Sequence, residues 1–441
     1  MPSAAERLIS RFEARDATVA VIGLGYVGLP TARAFHDAGF RVVGFDIDEN
    51  KIESLRRAEP YIHHLGQAMH EELAASDRFV ATTDPGQLAT ADAIIICVPT
   101  PLDAERKPDL SYLLRSTEIA AKHAEGPCLL VSQSTSYPGT LRDAIRPVFE
   151  RFAGERGAET LLAYSPERED PGRQSHSTRT IPRLVGGIDA ESTRVAAALY
   201  RRAVDTVVEV DSAEVAEAAK LLENTYRAVN IALVNETKVI LDAMGIDVWR
   251  VIDAAATKPF GFQRFEPGPG FGGHCIPVDP FYLAHRASEL GVAADFIALA
   301  GEVNVRMPLF VIDKLEVALA ERGTRLEDAS VLLVGLAYKP NIDDDRESPA
   351  AELLALLSSR GVHVAYHDPH IPRFAPMRKH RFELESTPLT EAALAEFDAA
   401  VIVTRHDAVD YSELGKRIPL IIDTRNAMAA IPECSATVVR A

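Results

Sequence analysis

Short, continuous apolar runs alternate with stretches whose apolar positions recur every three or four residues. TVAVIGLG at 18–25 and RVVGFDID at 41–48 are two such runs, separated by a helix-like stretch from about Val27 to Ala38. DRFVATTD, ADAIIICVPTP, GPCLLVSQST and ETLLAYSPE continue the alternation. Strand-length runs divided by helical patterns predict βαβ units and a parallel sheet, so residues 1–211 are expected to form a doubly wound domain.

After Asp211 the period changes. No proline or glycine occurs before Gly245, and Val215, Ala219, Leu222, Tyr226, Val229, Leu233 and Ile240 fall mostly three or four apart. Asp211 and Glu214 resemble a capping box, and Gly245 supplies a stop. A helix of roughly 33 residues would be about 50 Å long, more than a small domain covers. We expect a second subunit to pack on it, making a homodimer; a long helix joining two domains of a monomer is the alternative. Residues 281–320 again read as helical. SVLLVGLAY at 330–338 then echoes TVAVIGLGY at 18–26, and ESPAAELLALLSSRG, VHVAYHDP, DAAVIVTRHD and PLIIDTRN complete a second alternating set. The predicted fold class is α/β: two Rossmann-like doubly wound domains, 1–211 and 321–441, joined by a long central helix within a helical domain, 212–320.

Composition narrows the function. Of 441 residues, 64 are acidic and 47 basic, a formal charge of −17 that argues against nonspecific binding to nucleic acid or anionic membrane. The first residues carry Glu6, Arg7, Arg11, Glu13, Arg15 and Asp16, which leaves no signal-peptide core, and no apolar run approaches the roughly 20 residues of a membrane span. A cytoplasmic protein is expected. The four cysteines, Cys97, Cys128, Cys275 and Cys434, form no CxxC pattern, so neither a disulfide framework nor a metal site is predicted. Cys97 and Cys128 sit in strand-like runs and read as packing thiols.

The turn GLGYVG follows a strand and opens a helix, the context in which GxGxxG signals a dinucleotide. Gly23 permits the tight turn, Gly25 lets backbone approach a pyrophosphate, and Gly28 allows close helix packing, with Tyr26 and Val27 between them. Asp46 closes the second strand, where a carboxylate accepts ribose hydroxyls and repels a 2′-phosphate. The expected cofactor is NAD rather than NADP. In the second domain Gly335 remains, but Ala337 and Pro340 replace the other two glycines, so a pyrophosphate is not expected there.

Lys220 and Asn224 share a face of the long helix. Thr100 in VPTP, Thr135 in QSTSYPGT and Glu167 in SPERED lie at ends of first-domain strands, where open α/β sheets bind ligands. Taken singly, each of the five also fits a packing, turn or capping role. FGGHCIPVDP adds a thiol: Gly272 and Gly273 give the backbone freedom to bring Cys275 against a ligand, and Lys220 would favour its thiolate. Asp279 lies within hydrogen-bonding reach of Lys220 or a water in this reading.

GLGYVGLP, VPTP, STSYPGT, SPE, KLLENTYRAVNIALVNE, GPGFGGHCIPVDP, GLAYKPNIDDDRESP and DTRN occur in that order and span nearly the whole chain. Together they resemble the UDP-glucose/GDP-mannose dehydrogenase family. The resemblance implies an N-terminal NAD domain, a central dimerising and catalytic domain, and a C-terminal UDP-sugar domain. It implies a four-electron oxidation of a sugar C6 alcohol to a carboxylate, with Cys275 capturing the aldehyde. Lys220 and Asn224 would stabilise the oxyanion and Asp279 would help activate water. Thr135 and Glu167 would position water or move protons, with Thr135 also beside the cofactor. Thr100 would contact NAD, Gly272 and Lys339 the substrate, and Arg346 the cofactor or active site. Apart from these motifs, Lys339 and Arg346 also suit a solvated charged turn. Val278 stands where UDP-glucose enzymes usually carry lysine, and His274 precedes the cysteine. With SPEREDPG and ATKPFGF this is similar to the branch acting on UDP-N-acetylhexosamines, with UDP-N-acetylglucosamine the expected substrate and UDP-N-acetylmannosamine and UDP-glucose the alternatives. A two-electron dehydrogenase of the β-hydroxyacid type would share the lysine and asparagine but has no use for Cys275. A catalytically inactive nucleotide-sugar or NAD sensor is the remaining alternative.

Overall fold

The computed structural model describes residues 2–62, 65–103, 105–168, 178–273, 276–374 and 382–441, with the side chains of 156–158 outside that set. The chain divides into two compact units, residues 1–223 with 281–292, and residues 224–280 with 293–441.

In the first unit eight strands form one sheet: β1 (Thr18–Ile22), β2 (Arg41–Phe45), β3 (Phe79–Thr82), β4 (Ala93–Ile96), β5 (Leu129–Ser132), β6 (Leu161–Tyr164), β7 (Arg183–Gly187) and β8 (Val207–Glu209). Their order is β3-β2-β1-β4-β5-β6-β7-β8. All neighbours are parallel except β6 and β7, which run antiparallel. Side-chain alternation explains the continuous apolar runs. Val19, Val21, Ile95 and Val131 enter the core on one face, while Ala20, Ile22, Ile94, Ile96 and Leu130 enter the core on the other. The expected helix after β1 is Gly28–Asp37.

The second unit carries a five-stranded parallel sheet: β9 (Ser330–Val334), β10 (His363–His367), β11 (Ala399–Ile402), β12 (Leu420–Asp423) and β13 (Thr437–Arg440). The order is β10-β9-β11-β12-β13, so this sheet has the flavodoxin-like arrangement while the first begins as a 3-2-1-4-5-6 sheet. Again both faces are buried, Val331, Leu333 and Val401 on one and Leu332, Val334 and Ile402 on the other.

The long helix spans Ala213–Ala243, 31 residues or about 46 Å. It begins slightly later than the capping-box reading places it: the Ser212 hydroxyl, not Asp211, accepts the Val215 amide at 3.4 Å. Gly245 ends it at φ +70°. The 281–320 region resolves into two helices, Asp279–Glu289 and Asp295–Ala320, with a turn at Gly291 between them. Among the described residues no helix is long and apolar enough to cross a membrane.

Candidate active site

Steric room at the first glycine turn differs sharply from position to position. Gly23 has φ +92°, and a Cβ there would lie 2.7 Å from the Cys97 carbonyl oxygen. A Cβ on Gly28 would sit 1.7 Å from the Gly23 oxygen, whereas one on Gly25 would meet nothing within 4 Å. The turn is therefore closed on its protein side and open at Gly25, as a pyrophosphate cradle must be. Tyr26 and Val27 pack partly against the core. Helix Gly28–Asp37 begins after Val27 without a side-chain cap, leaving its N-terminal dipole to an outside anion. These residues fit NAD.

Asp46, just past β2, is buried and does a second job. Its Oδ2 accepts the Leu24 amide at 2.8 Å and its Oδ1 the Asp48 amide at 3.0 Å, with Lys51 Nζ 3.1 Å from Oδ2. The carboxylate thus clamps the turn. The second sheet repeats the clamp: Gly335 has φ +91°, and Asp368, past β10, accepts the Leu336 and Ala337 amides at 2.6 and 2.9 Å. There both amides of the turn are consumed by protein and Ala337 is fully buried, so the turn is not available to a pyrophosphate.

Hydrogen bonds join the ends of β4, β5 and β6. Ser134 Oγ takes the Val98 amide at 3.0 Å and donates to the Val98 carbonyl at 2.8 Å, drawing the segments of Thr100 and Thr135 together. Tyr282 donates its hydroxyl to the Thr100 carbonyl at 2.9 Å. Glu167 Oε2 accepts Gln133 Nε2 at 2.7 Å and faces Arg183 Nη1 at 3.2 Å, while its Oε1 accepts the Arg168 amide. Gln133 also donates to Thr31 on the helix that follows the glycine turn. Glu167 is a carboxylate held in one orientation by a buried arginine.

In the second unit, Asn224 Nδ2 donates to Asp279 Oδ2 at 2.5 Å. Asp279 is buried in the first turn of its helix, where the backbone dipole favours a negative charge. Gly272 takes φ +65°. The segment leading to it is pinned by a buried amide pair: Asn235 Oδ1 accepts the Gly268 amide at 2.9 Å and Asn235 Nδ2 donates to Asn304 Oδ1 at 2.9 Å. Arg346 pairs with the buried Asp344 at 2.8 and 2.6 Å, and Lys339 is half-buried in the Gly335 loop. Lys220 lies one turn before Asn224 on the long helix. Cys275 and His274 lie outside the described residues, as does the part of SPEREDPG from residue 169 onward.

Sequence reasoning passed over Gln133, Ser134, Arg183 and Glu217. Glu217 is fully buried and lies three residues before Lys220, a spacing that puts both on one helix face.

Profiles of one family cover the chain in three segments: its NAD binding domain matches residues 17–204, its central domain 214–306 and its UDP binding domain 332–430. The chain belongs to the UDP-glucose/GDP-mannose dehydrogenase family. It is an NAD-dependent nucleotide-sugar 6-dehydrogenase. Among its relatives, a UDP-N-acetyl-D-glucosamine 6-dehydrogenase of Pseudomonas aeruginosa is 34% identical over 93% of this chain and 97% of its own. A UDP-N-acetyl-D-mannosamine dehydrogenase of Pyrococcus horikoshii is 35% identical over 94% and 96%. A solved structure of a UDP-D-ManNAc dehydrogenase from Pyrococcus horikoshii superposes with a TM-score of 0.84, at 32% identity over 96% of this chain and 98% of that one. This nucleotide-sugar dehydrogenase therefore resembles relatives acting on two epimeric sugars, and the family alone does not choose between them.

Proposed function

We propose that the protein oxidises the C6 alcohol of a UDP-N-acetylhexosamine, UDP-N-acetylglucosamine by preference, to the UDP-uronic acid. The supporting observation is the Asn224–Asp279 hydrogen bond, which sets a helix amide on the carboxylate four residues after Cys275. A two-electron dehydrogenase has no need of a thiol in that stretch.

Two NAD molecules bound in turn would supply the hydride acceptors, one for each oxidation. Lys220 and Asn224 stabilise oxyanion character at C6. Once the alcohol has become an aldehyde, the Cys275 thiolate adds to its carbon and holds it as a thiohemiacetal. Loss of a second hydride leaves a thioester, and water attacks it, returning the thiol and releasing the carboxylate. Asp279 activates that water, and Thr135 with the fixed Glu167 orients it. Thr100, Gly23, Gly25, Tyr26, Val27, Gly28 and Asp46 serve the cofactor, Gly272 and Lys339 the UDP-sugar, and Arg346 the cofactor side of the site. Residues 1–211, 212–320 and 321–441 carry NAD binding, catalysis with dimerisation, and UDP-sugar binding.

Limiting UDP-N-acetylglucosamine should yield two NADH per sugar and an acid identified by mass, with NADP a far poorer acceptor. One NADH per sugar with no acid would establish the two-electron reaction instead; parallel runs with UDP-N-acetylmannosamine and UDP-glucose decide the sugar.

The homodimer rests on a stripe along one helix. Val215, Leu222, Tyr226, Leu233 and Ile240 recur at steps of seven or four and are 45–64% exposed in the single chain. Sedimentation should give twice the 48.0 kDa chain mass, and Leu233→Glu should shift it towards the monomer. A wild-type monomer at assay concentration would refute this.

A further inference from the structure

Glu217 has no part in the chemistry proposed above, yet it is among the most fully buried acidic side chains of the first unit. It projects from the long helix into the segment that follows β5. Its Oε1 accepts the Ser136 hydroxyl at 3.0 Å and the Leu141 amide at 3.1 Å, and its Oε2 accepts the Gly139 amide at 2.7 Å. Two backbone amides and a hydroxyl are thus gathered by one carboxylate. The segment they come from is irregular: Gly139 has φ +98°, Thr140 turns back to donate to the Tyr137 carbonyl at 2.6 Å, and residues Leu141–Ile145 form a single π-turn. Without the carboxylate, the Gly139 and Leu141 amides would be left unsatisfied in a buried place, which costs more than the bonds themselves contribute.

We propose that Glu217 is a positioning residue for the dehydrogenation, fixing residues 136–141 on the long helix and, through them, the side chain of Thr135. The inference rests on the assignment of Thr135 to the chemistry. It follows from connectivity: Thr135 directly precedes Ser136, and on its other side Ser134 is fastened to Val98. Thr135 is therefore held from both neighbours, one anchored to β4 and the other to the helix that bears Lys220.

The anchor also titrates in a useful range. Burial raises the Glu217 pKa to about 7, opposed by the hydrogen bonds from Gly139, Ser136 and Leu141, with Glu214 on the same helix adding to the rise. The other charged or titratable groups around the segment are Tyr137 within it, Arg142 and Asp143 in the π-turn, and, from the helix Asp279–Glu289, His285 against the Tyr137 ring, Glu289, and Arg286, which lies 3.6 Å from Asp143. Because the folded value is above the ordinary one, ionisation costs fold stability as the pH rises towards 7. Once formed, however, the carboxylate accepts all three bonds, whereas the protonated acid must turn one oxygen into a donor. Measured against a state in which the segment has let go while Glu217 stays buried, the anchor is tighter above that pH, because the three bonds favour the carboxylate.

The test uses the full-length enzyme. In E217Q one acceptor becomes an NH2 facing a donor. Turnover at pH 8 is expected to fall about tenfold or more, with KM for the UDP-sugar changed less than about twofold. The ratio of wild-type to E217Q turnover should rise with pH through about 7 and then level off. Amide exchange at residues 136–141 should accelerate in E217Q and, more weakly, in Ser136→Ala. Wild-type turnover in E217Q with only a lower Tm would reduce Glu217 to a structural residue and overturn the proposal, as would unchanged exchange in the segment. Thr135→Ala separates the two layers. If E217Q lowers turnover equally in the wild-type and Thr135→Ala backgrounds, Glu217 does not act through Thr135. If Thr135→Ala alone is fully active, the chemical role of Thr135 fails, while the exchange result still judges the anchor.

Discussion

Cys275→Ala is expected to abolish acid formation, lowering its rate by about four orders of magnitude or more, while UDP-sugar binding stays near wild type. The reasoning is covalent. Without the thiol the aldehyde has no anchor, so the second hydride has no bound tetrahedral carbon to leave and no thioester forms. Serine should not rescue it, because a hydroxyl is far less ionised than a thiol at neutral pH and is a poorer nucleophile. The two strand-run cysteines provide the control. Cys97 and Cys128 are buried, and burial pushes both thiols up, Cys128 to about 12. Neither is ionised under assay conditions, so replacing either with alanine should change stability by about 1 kcal/mol and leave the stoichiometry alone. Wild-type yield of UDP-uronate from Cys275→Ala would remove the thiol from the mechanism and restore the two-electron reading.

The legible parts of the fold are those where one physical signal dominates. β1, β4, β5, β9 and β11 are buried on both faces, so they stand out as unbroken apolar runs. The long helix was visible from its uninterrupted spacing. What escaped were elements whose pairing is set by neighbours rather than by composition. Three of the five residues of β7 are glycine or arginine, β8 is three residues at a sheet edge, and β13 is a partly exposed TVVR. The N-terminal helix Ala4–Ala14 has a complete capping box in Ser3 and Glu6, but its many charges and its narrow buried stripe of Ala5, Leu8 and Phe12 make a weak periodic signal. At the site the same division holds. Glycine turns announce themselves by residue type. Glu217, Gln133 and Arg183 do not, since a buried polar residue matters through partners 16 to 102 positions away that no local pattern encodes. The Asp46 clamp on Leu24 was likewise hidden behind its expected ribose role.

Gly25→Ala and Gly28→Ala should fail in different ways. Both positions keep ordinary backbone angles, so neither replacement is strained by φ, and the difference lies in what the new methyl meets. At Gly28 the methyl would stand 1.7 Å from the Gly23 oxygen and 2.9 Å from its carbonyl carbon. That neighbour is backbone, itself fixed by a hydrogen bond from the Gly23 amide to the Phe45 carbonyl at 2.8 Å, so the helix and turn must separate. A loss of several kcal/mol and a large fall in Tm are expected, together with loss of NAD affinity. At Gly25 the methyl enters open space, and removing a glycine also stiffens the unfolded chain, so Tm should hold or rise slightly. The space it enters is where a pyrophosphate would approach. KM for NAD should therefore rise about tenfold or more with little change in the KM for the UDP-sugar. Thermal unfolding and the two Michaelis constants distinguish these cases directly. If Gly25→Ala keeps wild-type affinity for NAD, the pyrophosphate does not cross this turn. A Gly28→Ala enzyme of wild-type Tm would mean that the turn and helix do not pack as closely as 1.7 Å implies.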